Sequence, residues 1–140
     1  MFDAKVLQEV ITELAGRALP LASAADLEAF AGLTAVDGSL LPALPRMAWA
    51  LWVDEEHREA KMHLAFEVLR GVPVKVTVTV GNSSENDELR KMLEAGRLYV
   101  VDCGYAECQL FQEIMDAKSD VLVTEQDTGQ VVMIRDLDGD

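Results

Sequence analysis

The chain has 140 residues, the size of one domain, and 50% of them are hydrophobic, which is typical of a globular protein and excludes a disordered one. Its 25 acidic and 12 basic residues give a net charge of −13, which argues against tight nucleic-acid binding by this segment alone because an acidic surface repels phosphates. The sequence has no apolar run of roughly 18 residues, no signal-peptide pattern and only two cysteines, so we expect reduced thiols, no membrane partner and a cytoplasmic location.

The first third of the chain predicts two helices and a strand. Apolar residues at helical spacing favour a helix over 3–19, with Asp3 as its N-cap. A second, short helix is expected to begin after Ser23 and to end near residue 30. The apolar run 33–37 then predicts a buried strand. Two prolines make the following stretch irregular, and a short helical turn is predicted over 47–52.

The middle of the chain changes to a β pattern. The runs 61–69 and 72–80 predict two strands joined by a tight turn at Gly71, since glycine adopts positive φ at no steric cost. In the second run valines alternate with polar residues, as in a strand with two different faces. A helix is then predicted over 85–95, with Ser84 as its N-cap.

The last part predicts a buried strand over 98–102, a helix over 106–117 and two strands over 120–124 and 130–135. The strand 98–102 is a continuous apolar run of the kind found in parallel sheets. The complete order of elements predicts an α/β fold of the ribonuclease-H-like class. It has a mixed sheet, made of a three-strand meander plus parallel strands, with flanking helices.

Two aspartates follow apolar runs, Asp37 after the first predicted strand and Asp102 after the fourth. In a ribonuclease-H-like sheet these two strands are parallel neighbours, so we expect the two carboxylates to lie close together. Two such charges repel by roughly 4 kcal/mol at ~4 Å in a dielectric of ~20. A divalent cation usually neutralises such a pair of charges, so the two aspartates predict a metal site.

Four blocks of sequence occur in a characteristic order between about Thr34 and about Arg135: VDGSLLPALPRMAWALW, KMHLAF, GVPVKVTVTVGNSSENDELRKML and GRLYVVDCGYAECQLFQEIMDAKSDVLV. In these blocks the chain resembles the catalytic core of bacterial insertion-sequence transposases. The resemblance is to the DDE (acid-acid-acid) group of the insertion-sequence-four family. It implies a division into an N-terminal helical segment, 1–32, and a partial ribonuclease-H-like core, 33–140.

The resemblance also implies chemistry and partners. Such enzymes cut and rejoin DNA at transposon ends with two divalent metal ions, Mg²⁺ or Mn²⁺, held ~3.5–4 Å apart by carboxylates. Carried over by position, Asp37 is the first metal-binding acid and Asp102 the second. Lys61 and His63 match a Lys-x-His block with a supporting role, and Tyr105 matches the tyrosine of the Asp-x-Gly-Tyr block.

Each of these residues also has a purely structural interpretation. An aspartate before glycine, as at Asp37, is often a turn former. His63 lies in a strand-like run, where a hydrogen-bonded structural histidine is an equally good interpretation. Tyr105 could be a buried phenol that closes the end of the strand.

The chain departs from the family pattern at two points. Cys103 stands where the family has an arginine, which removes a permanent charge beside a site for phosphate. The third acid, a glutamate in a Tyr-x-x-Arg…Glu block, does not occur before Asp140. Asp138 stands at the spacing seen in integrase-like relatives, but its flanks do not predict a helix, so we do not take it as the third acid. We therefore expect a cleavage activity that is absent or very poor.

These departures keep a second hypothesis open, namely an acidic, non-catalytic interaction module derived from a transposase. The net charge of −13 and Cys103 favour this hypothesis, whereas the two retained aspartates favour the enzyme lineage. If a further helix normally covers one face of the sheet, this chain would expose an apolar patch and self-associate. In either case we expect DNA binding to be weak or absent.

Overall fold

The computed structural model describes residues 3–21, 23–30, 32–42, 51–52, 58–125 and 128–134. Within these ranges the elements are, in chain order, α1 Ala4–Arg17, α2 Ala24–Ala29, β1 Leu33–Pro42, β2 Leu51–Trp52, β3 Arg58–Glu67, β4 Val72–Val80, α3 Glu85–Met92, β5 Leu98–Asp102, a 3-10 turn Cys103–Tyr105, α4 Cys108–Asp116, β6 Asp120–Thr124 and β7 Val131–Ile134. The predicted order of helices and strands is confirmed except at β2, which occupies the end of the stretch predicted as a short helical turn.

The strands form one mixed seven-stranded sheet. Its spatial order is β4, β3, β1, β5, β6, β7, and the short β2 also pairs with β3. Strands β1, β5 and β6 are parallel, whereas β3 is antiparallel to both β1 and β4. A meander followed by parallel crossover strands is the predicted ribonuclease-H-like arrangement, and it makes β1 and β5 neighbours.

Side-chain caps start the helices where the sequence predicts them. The carboxylate of Asp3 accepts a hydrogen bond from the Lys5 N–H at 2.9 Å, and the hydroxyls of Ser23 and Ser84 cap α2 and α3. Helix α3 ends at Met92, three residues before the predicted end. Among the described helices, of which the longest has 14 residues, none has the length and apolarity to cross a bilayer.

Helices α3 and α4 cover one face of the sheet and enclose the core. Its fully buried members alternate along the strands and recur at helical spacing in the two helices: Val36, Ala65, Leu89, Met92, Tyr99, Val101, Leu110, Ile114 and Val121. On the opposite face, strand residues such as Val100 and Leu122 stay partly exposed. Helix α1 lies along β4 at the edge of the sheet, where the guanidinium of Arg70 donates to the carbonyl oxygens of Ala15 and Ala18.

A charged cluster ties α3 to α4. The guanidinium of Arg90 in α3 donates to Asp87 on its own helix at 2.8 Å and to Glu107 at 2.7 Å, and it also pairs with Glu113 of α4. Hydrogen bonds, first to Glu113 and then to Glu107, raise the pKa of Arg90 above its ordinary value. The cluster therefore holds together α3, which packs on β1 and β3, and α4, which packs on β6.

Besides the end of α3, the structure differs from the prediction most clearly at three further places. Strand β1 continues past Asp37 to Pro42, because β3 is long enough to pair with it as far as Glu59. Residues 51–52 form a strand paired with the start of β3 instead of a helical turn, while residues 43–50 lie outside the described part. Helix α4 begins at Cys108, two residues late, because Cys103–Tyr105 form a 3-10 turn. The position of Asp138 is also outside the described residues.

Candidate functional site

The two aspartates lie on neighbouring parallel strands. Strands β1 and β5 pair in the register Leu33↔Leu98, Thr34↔Tyr99 and Ala35↔Val100. The paired residues end at Ala35 and Val100, and Asp37 and Asp102 each follow two residues later on the two strands. Since adjacent strands lie ~4.8 Å apart, the sheet brings together two residues that are far apart in sequence.

Each aspartate is oriented by the backbone that follows it. One carboxylate oxygen of Asp37 accepts a hydrogen bond from the Gly38 N–H at 2.8 Å. Likewise, Oδ1 of Asp102 accepts from the Gly104 N–H at 2.9 Å and so caps the 3-10 turn. Asp37 is exposed although it lies within β1, whereas Asp102 is half-buried at the end of β5. Both carboxylates therefore have a defined direction at the edge of the core.

The hydroxyl of Tyr105 lies among three carboxylates. The side chain is 1% exposed, and burial is the largest cause that raises the pKa of the phenol. The negative charges of Glu85, Asp37 and Asp102 raise it further, and Glu85 also raises it as a potential hydrogen-bond acceptor within reach of the hydroxyl. Tyr105 is thus held neutral as a hydrogen-bond donor beside both predicted metal ligands.

Glu85 is the residue at this site that the sequence analysis missed. It lies in the first turn of α3, and its Oε1 forms an ion pair with Nζ of Lys61 at 3.1 Å. Its side chain also lies directly over the backbone after Asp37, because a Cβ on Gly38 would be 2.8 Å from Glu85 Oε1. The signal in the sequence is an acidic residue directly after the N-cap Ser84, at the start of the helix that follows the meander.

The two predicted supporting residues lie on β3, beside the start of α3. Lys61 pairs with Glu85 and also donates to the carbonyl oxygen of Ser83 at 3.3 Å. His63 lies across from Gly38 in the β1–β3 register and is 2% exposed, and its Nε2 lies 2.8 Å from Thr79 Oγ1 and 3.1 Å from Ser83 Oγ. Both residues thus contact the segment that leads into α3.

The environment of His63 favours the neutral ring. Burial is the largest influence and lowers the pKa of His63 below its ordinary value, and Nδ1 has no hydrogen-bond partner in the described part of the protein. Charges on neighbouring elements act in both directions, namely those of Glu88, Lys61, Glu85 and Lys91. At neutral pH the ring therefore acts as an uncharged hydrogen-bonding group.

The described residues contain no group of three or more His, Cys, Asp or Glu side chains with the geometry to hold a metal ion. Both cysteines, Cys103 and Cys108, are exposed thiols. Of the sequence-predicted residues, Asp37 and Asp102 both raise the pKa of the Tyr105 phenol by their charge, and Lys61 is connected to the same phenol through Glu85. His63 contacts Thr79 of β4 and Ser83, just before α3.

Comparison with known proteins places this geometry in a family. The piggyBac transposase, solved by cryo-EM as a synaptic complex with hairpin DNA, has a similar fold with a TM-score of 0.51 and 10% sequence identity. The likeness covers 71% of this chain but only 24% of that one, and at this identity it shows the fold alone. No curated protein matches the chain. The family described as Transposase DDE domain matches residues 28–134, most of the chain, and the chain therefore belongs to the transposase DDE domain family.

Proposed function

We propose that this domain belongs to the catalytic core of a DDE-type DNA transposase of the insertion-sequence-four kind, with Asp37 and Asp102 as two of its metal-binding acids. The observation that carries the proposal is that β1 and β5 are adjacent parallel strands and that the charges of both aspartates act on the buried Tyr105. The four sequence blocks shared with insertion-sequence transposases support the subtype. The division into 1–32 and 33–140 remains a prediction.

Membership of the family implies a divalent cation, and the donors of this site fit one. Asp37 and Asp102 supply hard carboxylate oxygens, which suit Mg²⁺ and Mn²⁺, and the exposed thiol of Cys103 is the wrong ligand for either. When bound, such a cation supplies a Lewis acid that lowers the pKa of a bound water and stabilises charge on a phosphate. Asp37 and Asp102 would hold it, each oriented by one backbone N–H.

The remaining residues argue for a weak or inactive enzyme. Cys103 leaves the end of β5 without the arginine charge that the resemblance implies at this position. A net charge of −13 also opposes the approach of DNA. We therefore propose that the protein binds Mg²⁺ or Mn²⁺ weakly, binds transposon-end DNA weakly or not at all, and does not efficiently nick duplex DNA.

Calorimetric titration with Mn²⁺ tests the site. We expect a saturable heat from the wild type that is lost in both Asp37→Asn and Asp102→Asn. Asp116→Asn is the matched control, because Asp116 is an exposed carboxylate on α4 that accepts from Gln112 at 3.0 Å. Equal heats from the wild type and Asp37→Asn would exclude the proposed metal site.

An acidic, non-catalytic interaction module is the second candidate. The observation that favours it is the exposed apolar side chains of β7, the last described strand at this edge of the sheet: Val131 at 57%, Val132 at 59% and Met133 at 46%. Under this hypothesis the protein self-associates through that strand and binds no metal. Sedimentation at high concentration distinguishes the two candidates, since a sharp monomer that still binds Mn²⁺ would reject the module.

A further inference from the structure

We propose that Glu85 is a positioning residue that holds Asp37 and Asp102 in their relative places, an inference that rests on the proposed function of these two acids. Its carboxylate is connected to three different strands. It pairs with Lys61 of β3, lies over Gly38 of β1 and lies within reach of the buried hydroxyl of Tyr105, which follows β5.

The connection to Asp102 runs through the 3-10 turn. Tyr105 is the last residue of this turn, and Asp102 caps its start by accepting from Gly104. A hydrogen bond donated by the Tyr105 hydroxyl to Glu85 would therefore fix the far end of a three-residue turn whose near end is the second acid. Since the phenol is 1% exposed, little space is left for the turn to move independently of α3.

The connection to Asp37 is a direct steric one. Gly38 is the residue whose N–H orients the Asp37 carboxylate, and the Glu85 side chain occupies the space where a Cβ on Gly38 would be. The backbone of β1 at the first acid is thus covered by Glu85. One side chain therefore contacts the elements that orient both acids.

The start of α3 is itself held in place by β3 and β4. Lys61 donates to the carbonyl oxygen of Ser83, and His63 and Thr79 both hydrogen-bond the Ser83 hydroxyl. These contacts fix the segment two residues before Glu85. Lys61 and His63, the predicted supporting residues, accordingly act on the acids through Glu85.

The Glu85–Lys61 pair is also better shielded than the Glu94–Lys75 pair. Their side chains are 33% and 15% exposed, compared with 42% and 38% for Glu94 and Lys75, which form an ion pair at 3.0 Å. Glu94 also pairs with Arg97 at 2.8 Å, and neither of its ion-pair partners belongs to the acid site. Glu94 is therefore a matched control for the loss of a paired carboxylate.

The first test uses the metal-free protein and amide spectra of a ¹⁵N-labelled sample. In Glu85→Ala we expect the Gly38 and Gly104 amide resonances to shift, whereas Glu85→Gln, which keeps a hydrogen-bond acceptor for Tyr105, restores them. Tyr105→Phe removes the same hydrogen bond from its other end and should shift the Gly104 amide in the same direction. Glu94→Ala should leave both amides in place.

The second test measures Mn²⁺ affinity by calorimetry on the same variants. Loss of a group that orients a metal ligand weakens metal affinity by about 10- to 100-fold, so we expect at least about a 10-fold loss in Glu85→Ala, near wild-type affinity in Glu85→Gln and no change in Glu94→Ala. In Gly38→Ala the new methyl group displaces the Glu85 carboxylate, and we expect a loss similar to that of Glu85→Ala.

Circular dichroism and thermal unfolding must first show that each variant is folded. Unchanged Gly38 and Gly104 amides in a folded Glu85→Ala variant would overturn the inference, and so would an equal loss in Glu85→Gln and Glu85→Ala. If the wild type binds no Mn²⁺ but the amides shift as expected, the proposed function fails while the positioning role of Glu85 stands.

Discussion

Replacement of Asp37 by Asn is expected to stabilise the metal-free protein and to abolish its stabilisation by Mn²⁺. The change removes one of two negative charges that lie on adjacent parallel strands. It keeps the shape of the side chain, and the Asn carbonyl can still accept from the Gly38 N–H that now bonds Asp37 at 2.8 Å. The repulsion is therefore the main interaction that the substitution removes.

The strand spacing sets the size of this effect. Two unit charges ~4.8 Å apart repel by roughly 1 kcal/mol in water and by roughly 3.5 kcal/mol at a dielectric of ~20. The repulsion is expected near the lower of these two energies, because Asp37 is exposed and physiological salt screens charges over ~8 Å. We expect Asp37→Asn to raise the free energy of unfolding without metal by about 0.5–1 kcal/mol. Mn²⁺ at 100 times its dissociation constant should stabilise only the wild type, by about 2.7 kcal/mol.

Urea denaturation in EDTA and in Mn²⁺ measures both effects in one pair of proteins. Asp116→Asn is again the control, because it removes an exposed carboxylate far along α4. If Asp37→Asn destabilises the protein in EDTA, the carboxylates of Asp37 and Asp102 do not repel each other and are not close together in the folded protein. If Mn²⁺ stabilises both proteins equally, the cation binds elsewhere.

Three further predictions concern the scaffold. Leu110→Ala is expected to lower the free energy of unfolding by about 2.7–5 kcal/mol, because Leu110 is fully buried and the substitution leaves a cavity in addition to the lost burial. Gln112→Ala, on the exposed face of the same helix, should change the free energy of unfolding by less than about 0.5 kcal/mol. Urea denaturation measures both effects. In the same assay Gly32→Ala should lower the free energy of unfolding by at least about 1 kcal/mol more than Gly96→Ala. Both glycines have a positive φ, 70° and 75°, but only a Cβ at residue 32 would collide with the backbone, with the Gly96 carbonyl oxygen at 2.6 Å. Burial lowers the pKa of His63, so the imidazole binds a proton more readily in the unfolded chain than in the folded one. The free energy of unfolding should therefore fall as the pH drops from about 6.5 through the lowered pKa. His63→Gln should weaken this pH dependence, which urea titrations at several pH values measure.

Each of these predictions has an outcome that contradicts it. A cost below about 1 kcal/mol for Leu110→Ala would mean that α4 does not face the core at this residue. Equal costs for the two glycine variants would place the backbone around Gly32 differently. A pH dependence that is identical in the wild type and in His63→Gln would show that the buried ring does not resist protonation.

Local signals in the sequence predict where several helices and strands of this protein begin. The sequence also predicts the family to which the protein belongs. The caps Asp3, Ser23 and Ser84 start the three helices that they predict, because a side chain that accepts from the N–H of the first turn acts within a few residues. The strand Leu98–Asp102 is found at its predicted residues, since a short apolar run with turn signals on both sides specifies its own ends. The order of such elements was enough to predict the ribonuclease-H-like fold and hence the neighbouring positions of Asp37 and Asp102.

The length of β1 and the presence of Glu85 at the site depend on tertiary contacts and could not be predicted from the sequence. Strand β1 continues past Asp37 because β3 offers hydrogen-bonding partners as far as Glu59, and the length of a partner strand is not written in the local sequence. Glu85 reaches Gly38 and Tyr105 only because α3 packs across β1 beside the turn after β5. Contacts between residues that are distant in the chain depend on register and helix placement, which the packing of the whole sheet determines.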